Sequence, residues 1–295
     1  MSDASDEGGA NAPPHENPAG VHDQADAVEH SARGASGTTA ADPGDRKSDT
    51  GRWLLQIRLA AAFLTILPVG PAEAASPADV AASFGWFPLV GFGIGFGLFI
   101  VDWMLSPIFG HAMRAVLIVL LLTVVTGGLH LDGVADTADA LGARSDRNRA
   151  LEILRDSRIG SFGTLALIFI ISLKALAIAG AGGGHRHAAI YMAPGLGRWA
   201  MVAIASSLDY LRAEGAGAAM LSRDRRRNLK IATITAVVML APLVMFHALR
   251  ACVIAAVVTL AMRSFYRRWM GGVTGDLIGA AGEIVETAVL IAIAS

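Results

Sequence analysis

The sequence predicts an all-α, polytopic membrane helix bundle with about seven transmembrane helices, preceded by a disordered N-terminal tail. Of the 295 residues, 54% are hydrophobic, and the mean hydropathy of the chain is +0.51. Apolar runs long enough to cross a bilayer as helices recur after residue 51 but not before it. We therefore divide the chain into a tail (residues 1–51) and a transmembrane domain (residues 52–295).

The tail differs from the rest of the chain in charge as well as in hydropathy. It is rich in Gly, Ala, Ser and Pro, and it contains ten acidic residues, three basic residues and no aromatic residue. Such a segment buries too little apolar surface to offset its ordering entropy, which predicts disorder. It also lacks the basic start and apolar core of a signal peptide. Residues 52–295 hold the other 15 acidic and 21 basic residues, a net charge of +6 that the tail hides in the whole-chain value of −1.

The first predicted element of the transmembrane domain, residues 53–67, is interrupted by Gln56 and Arg58, which favours an amphipathic or re-entrant helix. Four apolar runs then predict spans at residues 84–105, 113–129, 162–181 and 188–208. The first span has glycines at 91, 93, 95 and 97, which allow close helix approach.

The C-terminal third predicts three further spans. The apolar segment 231–266 is too long for one helix, and Pro242 and Arg250 allow a kink and a tight hairpin. We therefore expect spans at 231–248 and 252–266, and a last span at 277–294. The single cysteine, Cys252, excludes a disulfide within one chain.

Basic loops orient these spans. Most arginines and lysines lie in the loops 142–160 and 209–230 and at the end of the sixth span, and few lie in the alternate connections. By the positive-inside rule the basic loops are cytoplasmic, which predicts a multi-pass protein of the cell inner (plasma) membrane. The tail and the acidic motifs described next would then face the cytoplasm.

The most informative motif is Thr-Gly-Gly-Leu-His-Leu-Asp-Gly-Val-Ala-Asp-Thr-Ala-Asp at residues 126–139, directly after an uncharged apolar run. Asp132, Asp136 and Asp139 are spaced by four and three residues, which places them on one face of a helix. Like charges this close repel unless a cation lies between them. Oxygen ligands at a membrane boundary therefore predict a Mg²⁺ or Mn²⁺ site, although a solvated helix face is the alternative.

Two other acidic groupings fall at the same predicted membrane side. Glu152 and Asp156 alternate with Arg155 and Arg158, so a structural set of salt bridges competes with a functional role. Asp276 and Glu283 follow a Gly-Gly-Val-Thr-Gly turn, where Asp276 could instead cap the last helix. His130 could act as a general base or phosphate donor, or be structural.

Carboxylate-held magnesium together with arginines is equipment for displacement at phosphorus. We find no Ser-His-Asp order, P-loop or metalloprotease helix to compete with it. A nucleic-acid partner is not expected, because the basic residues lie beside apolar spans.

Five stretches, in order, resemble the cobalamin synthase family of adenosylcobinamide-GDP ribazoletransferases. They are Thr-Ile-Leu-Pro-Val at 65–69, where Ile66 replaces the usual arginine, Phe-Pro-Leu-Val-Gly at 87–91, the motif at 127–139, Leu-Glu-Ile-Leu-Arg-Asp-Ser-Arg-Ile-Gly at 151–160, where Leu154 replaces methionine, and Gly-Gly-Val-Thr-Gly-Asp at 271–276. The resemblance covers about residues 53–295, which would make them a catalytic domain.

The resemblance implies a magnesium-dependent membrane enzyme that transfers the cobinamide phosphate from one substrate to the other. Adenosylcobinamide-GDP and α-ribazole, or α-ribazole 5′-phosphate, would give adenosylcobalamin, or its 5′-phosphate, and GMP. Association with other corrinoid-assembly enzymes is a further expectation.

The expected site combines the motif residues in three roles. Those expected to be catalytic are Asp132, Asp136, His130 and Asp276. Those expected to bind substrate are Gly127, Gly128, Arg155, Arg158, Thr274 and Gly275. Those expected to bind Mg²⁺ are Asp132, Asp136, Asp139, Glu152, Asp156 and Glu283.

Two other classes of protein remain as alternatives. A CDP-alcohol phosphotransferase also carries spaced aspartates at a span end, but its pattern requires Ala-Arg where this chain has Ala135-Asp136. A cation-coupled transporter would place its carboxylates near span centres, whereas the acidic motifs here are predicted at span ends.

Overall fold

The structure is a computed structural model that describes residues 49–69, 75–142, 146–156, 158–212, 224–241 and 245–294. Of the predicted disordered tail, residues 1–48 lie outside the described residues, so their disorder stays a prediction, whereas residues 49–51 begin helix α1 and correct the predicted boundary at residue 51. In the described residues, eleven α-helices follow one another: α1 (Asp49–Leu64), α2 (Pro77–Ser83), α3 (Phe87–Leu105), α4 (His111–Val125), α5 (Leu129–Gly142), α6 (Arg147–Ile153), α7 (Ser161–Gly180), α8 (Gly183–Ser207), α9 (Arg225–Leu240), α10 (Met245–Trp269) and α11 (Gly275–Ala294).

Five helical segments are long and apolar enough to cross a bilayer: Pro77–Leu105, Ser161–Gly180, Gly183–Ser207, Phe246–Trp269 and Gly275–Ala294. A sixth is reached if α4 and α5, which are bent by 93° at their junction, count as one broken span. The predicted all-α membrane bundle is therefore confirmed, but the count of seven is not. The difference comes from α9, whose 16 residues fall short of the roughly 20 that cross a bilayer.

The predicted hairpin near Arg250 is wrong. Helix α10 begins at Met245 and runs through Arg250 without a break. Helix α9 ends at Leu240, two residues before Pro242, which itself lies outside the described residues. A proline removes a helical hydrogen bond and restricts the residue before it, whereas a long arginine side chain can extend to a polar boundary from within a helix.

Helix α8 lies at the centre of the bundle, packed against α3, α9, α10 and α11. The bundle buries 78% of the apolar part of α8 and 72% of that of α11. It buries only 17% of the apolar part of α7 and of α10, so the remaining surface of these two helices is available to lipid. Gly91 and Gly95 of α3 allow the close contact with α8, since a Cβ at Gly91 would lie 2.5 Å from the carbonyl oxygen of Pro194. The predicted close approach is thus confirmed for these two glycines, while Gly93 and Gly97 face open space.

Helix α1 is not among the segments that could span a membrane, in agreement with the predicted amphipathic helix. Trp53 and Leu54 are exposed, whereas Gln56 is buried. The Gln56 amide donates a hydrogen bond to Asp79 of α2 (3.3 Å) and accepts one from the Trp86 indole (3.2 Å). These bonds hold α1 against the start of the first span.

Candidate active site

A glycine turn bends the chain where the acidic motif begins. Gly127 and Gly128 have φ angles of 61° and 68°, a left-handed region that only glycine adopts without steric cost. The predicted span 113–129 therefore ends early, at Val125, and Leu129 starts α5 at 93° to α4. The two glycines are needed for this bend, and their expected contact with substrate stays a prediction.

Helix α5 then packs against the N-terminal part of α11, which brings three predicted carboxylates together. The two helices touch at Gly133, where a Cβ would lie 2.6 Å from the carbonyl oxygen of Asp276. Asp132 is exposed, and Asp136 and Asp276 are half-buried. Asp136 is repelled by both Asp132 and Asp276 and is attracted by Arg212. We call Asp132, Asp136 and Asp276 the aspartate cluster.

The Asp276 carboxylate is directed to Arg212 rather than to the start of α11. Thr274 precedes α11, and its Oγ1 accepts a hydrogen bond from the backbone N–H of Leu277 (3.4 Å), so Thr274 is the capping residue. Asp276 Oδ2 instead accepts hydrogen bonds from Arg212 Nη2 (2.6 Å) and Thr274 Oγ1 (3.3 Å). The alternative that Asp276 only caps the helix is thus not what the hydrogen bonds show.

The donor chemistry of the aspartate cluster fits Mg²⁺, because all of its side-chain ligands are carboxylate oxygens. Among the described residues, no three His, Cys, Asp or Glu side chains are arranged closely enough to hold a metal ion by themselves. Mg²⁺ does not require such a cage, because it usually keeps several waters and binds one or two carboxylates together with substrate phosphates. The cluster therefore suits a cation that arrives with a phosphorylated ligand.

Asp139 has a different role from the other two aspartates of its motif. Its carboxylate accepts hydrogen bonds from the backbone N–H groups of Gly160 (2.7 Å) and Gly163 (2.8 Å) at the start of α7. These N–H groups have no partner within α7, so Asp139 caps that helix from α5. Glycine at both positions leaves room for this contact, because a Cβ at either would displace the Asp139 carboxylate, and at Gly163 it would also approach the carbonyl oxygen of Ala135 (2.9 Å). Its expected metal role stays a prediction.

The two carboxylates of the 151–160 motif pair with arginines of their own segment. Glu152 is exposed and lies 2.8 Å from Arg149. Asp156 lies 2.7 Å from Arg158, whose hydrogen bonds lower the pKa of Asp156 to about 2. Arg155, the other predicted substrate ligand, is exposed at the end of α6. The structure shows salt bridges here, and the metal and substrate roles stay predictions.

Glu283 lies inside the bundle, in a network of buried charges. Lys174 of α7 donates to Glu283 and, at 2.5 Å, to Glu286 Oε1, both on α11. Glu286 also pairs with Arg198 of α8, and all four side chains are at most 5% exposed. We call these four residues the buried charge network. Its two positive and two negative charges balance, which differs from the open row of carboxylates that a cation path would require.

His130 lies beside the buried charge network, on the same helix as Asp132 and Asp136. It is buried against Gly279 of α11, and its Nδ1 lies 3.5 Å from Arg198 Nη2. Because an arginine can only donate, this contact would leave the proton on Nε2. The Nε2 atom is buried and has no hydrogen-bond partner within the described residues.

Several residues of this region were not predicted. Lys174 and Arg198 carried a usable signal, because a charge inside an apolar span is costly and marks a functional or structural contact. Arg212 carried none, since it lies in a basic loop with many other arginines, and Tyr210 carried none because a single tyrosine in a loop has no pattern to mark it. Tyr210 packs beside Gly275, and burial raises the pKa of its hydroxyl.

A polytopic helix bundle with a carboxylate cluster and an arginine at one end is an arrangement that suits a membrane enzyme acting on phosphorylated substrates. Residues 56–294 match the family described as cobalamin-5-phosphate synthase. The chain belongs to this family.

Individual relatives agree with the family match. A relative from Syntrophobacter fumaroxidans, named adenosylcobinamide-GDP ribazoletransferase, is 39% identical over 80% of this chain and 96% of its own length. Relatives of the same name from Roseiflexus sp. (37% identical, 77% of this chain and 85% of the relative) and Pseudomonas syringae (35%, 82% and 99%) match similarly. No solved structure matches the chain.

Proposed function

We propose that this chain is an adenosylcobinamide-GDP ribazoletransferase, which joins adenosylcobinamide-GDP to α-ribazole or its 5′-phosphate and releases GMP. Membership of the family supports the substrates. The observation that carries the chemistry is the convergence of Asp132, Asp136 and Asp276 beside Arg212. Carboxylates and an arginine at one end of a membrane bundle suit a diphosphate substrate, because such substrates bring both negative charge and a divalent cation.

The transfer is a displacement at phosphorus. The ribazole hydroxyl oxygen forms a bond to the phosphorus that bears the cobinamide arm, and the bond from that phosphorus to the GMP oxygen breaks. The hydroxyl proton leaves to a base, for which we propose a carboxylate of the aspartate cluster, while His130, whose unpartnered Nε2 carries its proton, can donate a hydrogen bond to a phosphate oxygen. Mg²⁺ held by the aspartate cluster would neutralise charge on the phosphate oxygens and on the departing GMP.

We also propose that the aspartate cluster faces the cytoplasm in the inner membrane. The cluster contacts the loop that carries Arg212, and this loop (209–230) and the 142–160 loop together hold 11 of the 21 basic residues of the transmembrane domain. The positive-inside rule places such loops in the cytoplasm.

The test is GMP release by membranes that contain the chain, supplied with adenosylcobinamide-GDP and ribazole phosphate, with and without Mg²⁺. We expect GMP and the joined corrinoid product in equal amounts, only with Mg²⁺. Asp132→Asn and Asp276→Asn should abolish release while the protein remains folded in the membrane. Near-normal release by both variants at limiting Mg²⁺ would refute the assignment of the site, and no release by the unaltered chain would refute the function.

A further inference from the structure

Arg212 reaches the aspartate cluster because its loop is paired with the C-terminal glycine motif. Tyr210 and Val273 form an isolated parallel β-bridge. The N–H of Leu211 donates to the carbonyl of Val273 (2.8 Å), and the N–H of Val273 donates to the carbonyl of Asp209 (2.8 Å). Gly272 makes this pairing possible, since any Cβ there would clash with the Asp209 carbonyl oxygen. The glycines of this motif thus admit a neighbouring loop.

The Arg212 side chain joins two motifs that are far apart in the sequence. Its Nη2 donates to the carbonyl oxygen of Leu154 (2.7 Å) and to Asp276 Oδ2 (2.6 Å). It also attracts Asp136 electrostatically. Its Nε is buried without a hydrogen-bond partner within the described residues, although the side chain as a whole is 26% exposed.

The charges around Arg212 are unbalanced. Arg212 is the one guanidinium beside the three carboxylates of the aspartate cluster, so these carboxylates by themselves would repel a diphosphate. A guanidinium presents five N–H donors in a planar fork that matches phosphate oxygens, and only Nη2 is engaged by the contacts described above. An arginine anchored by a backbone carbonyl and partly exposed is positioned to bind such oxygens.

We propose that Arg212 is a phosphate-binding residue of this site, and that it exchanges its contact with Asp276 for substrate phosphate oxygens when substrate binds. When the substrate diphosphate binds, Arg212 donates to its oxygens and remains anchored to the Leu154 carbonyl. Asp276 is then released to the cation that accompanies the diphosphate. This inference rests on the proposed function, because it identifies the residue that recognises the diphosphate of the same substrate.

The competing explanation is that Arg212 only neutralises Asp276. The two explanations differ in ligand affinity, so the test measures binding directly. The unaltered chain, Arg212→Ala and Arg212→Lys are purified in nanodiscs, and binding of GMP and of inorganic diphosphate is measured with Mg²⁺ present. Arg226→Ala is the matched control, because Arg226 is an exposed arginine at the start of α9.

We expect Arg212→Ala to weaken binding of both probes by about 10- to 100-fold, the effect of losing a hydrogen bond between charged groups. Arg212→Lys should retain part of the affinity, and Arg226→Ala should bind as the unaltered chain does. In turnover, Arg212→Ala should raise the KM for adenosylcobinamide-GDP and leave the KM for ribazole phosphate unchanged.

Three results would overturn the proposal. Unchanged binding of GMP and diphosphate by Arg212→Ala is the first. Recovery of their binding in the double variant Arg212→Ala/Asp276→Asn is the second, because it would show that only the unpaired carboxylate had mattered. Failure of the unaltered chain to bind either probe is the third. Failure of the proposed function is distinguishable, because it would appear as binding of GMP without its release from adenosylcobinamide-GDP.

Discussion

Replacing Lys174 by methionine should be among the most destabilising single changes in the bundle. The Lys174 ammonium is 3% exposed and pairs with Glu283 and Glu286, and Glu286 keeps Arg198 as a second partner. Lys174→Met fills a similar volume but leaves Glu283 without a cation among the described contacts. Breaking a buried ion pair in this way costs about 3–5 kcal/mol, which corresponds to a fall in Tm on the order of 10 °C for a domain of this size.

A second substitution distinguishes a charge imbalance from a loss of packing. In Lys174→Met/Glu283→Gln the network contains one arginine and one glutamate, so the charges balance again. We expect the double variant to recover most of the lost stability, with a coupling energy of about 2–4 kcal/mol in a double-mutant cycle.

This coupling is measured by thermal unfolding in nanodiscs, followed by tryptophan fluorescence. The four proteins compared are the unaltered chain, Lys174→Met, Glu283→Gln and the double variant. A cost below about 1 kcal/mol for Lys174→Met, or no recovery in the double variant, would refute the argument. The same proteins also test the predicted metal role of Glu283. If Glu283 binds Mg²⁺, Glu283→Gln should raise the Mg²⁺ concentration needed for turnover, and the double variant should not restore it.

Three further predictions concern the aspartates and the helix contact at the site. Asp136→Asn should abolish GMP release yet raise stability without Mg²⁺ by about 1 kcal/mol, because it removes a repelled carboxylate; a lower Tm would contradict this. Asp139→Ala should lower stability by about 1–2 kcal/mol through loss of the cap of α7, with faster hydrogen exchange at residues 160–163; unchanged exchange would exclude a capping role. Gly133→Ala should push α5 away from α11, which should cost about 1–3 kcal/mol of stability and most of the turnover. The control Gly93→Ala should change neither, because Gly93 faces open space. Equal effects of the two alanines would show that the contact at Gly133 is not needed.

The bundle could be predicted because long apolar runs have few other uses than crossing a membrane. The expected seventh span is not confirmed, because the length and composition of its segment are marginal. The charged start of α9 shortens its apolar part. The break predicted at Arg250 is absent, because proline breaks a helix and arginine does not. The bend at Gly127 and Gly128 was also missed, because two adjacent glycines allow a sharp turn without specifying its direction.

The aspartate cluster could be predicted only in part. Spacing places Asp132, Asp136 and Asp139 on one face of α5, but that face meets both α7 and α11. Which carboxylate meets which neighbour depends on packing between segments far apart in the sequence. Asp139 accepts hydrogen bonds from the N–H groups of Gly160 and Gly163 at the start of α7, which are more than 20 residues away in the sequence. Asp276 is therefore the third member of the aspartate cluster with Asp132 and Asp136.

Charge balance separates the two sets of ionised residues in this bundle. The buried charge network is neutral by itself, so it can be fully paired in the absence of any ligand, and its cost of burial is offset within the protein. The aspartate cluster is not neutral, because Arg212 offsets only one of three negative charges. Asp136 is repelled by its carboxylate neighbours, and a bound cation would remove this repulsion. That difference in charge balance favours a structural role for the buried charge network, which holds α7, α8 and α11 together, and it supports the proposal that the aspartate cluster carries the chemistry.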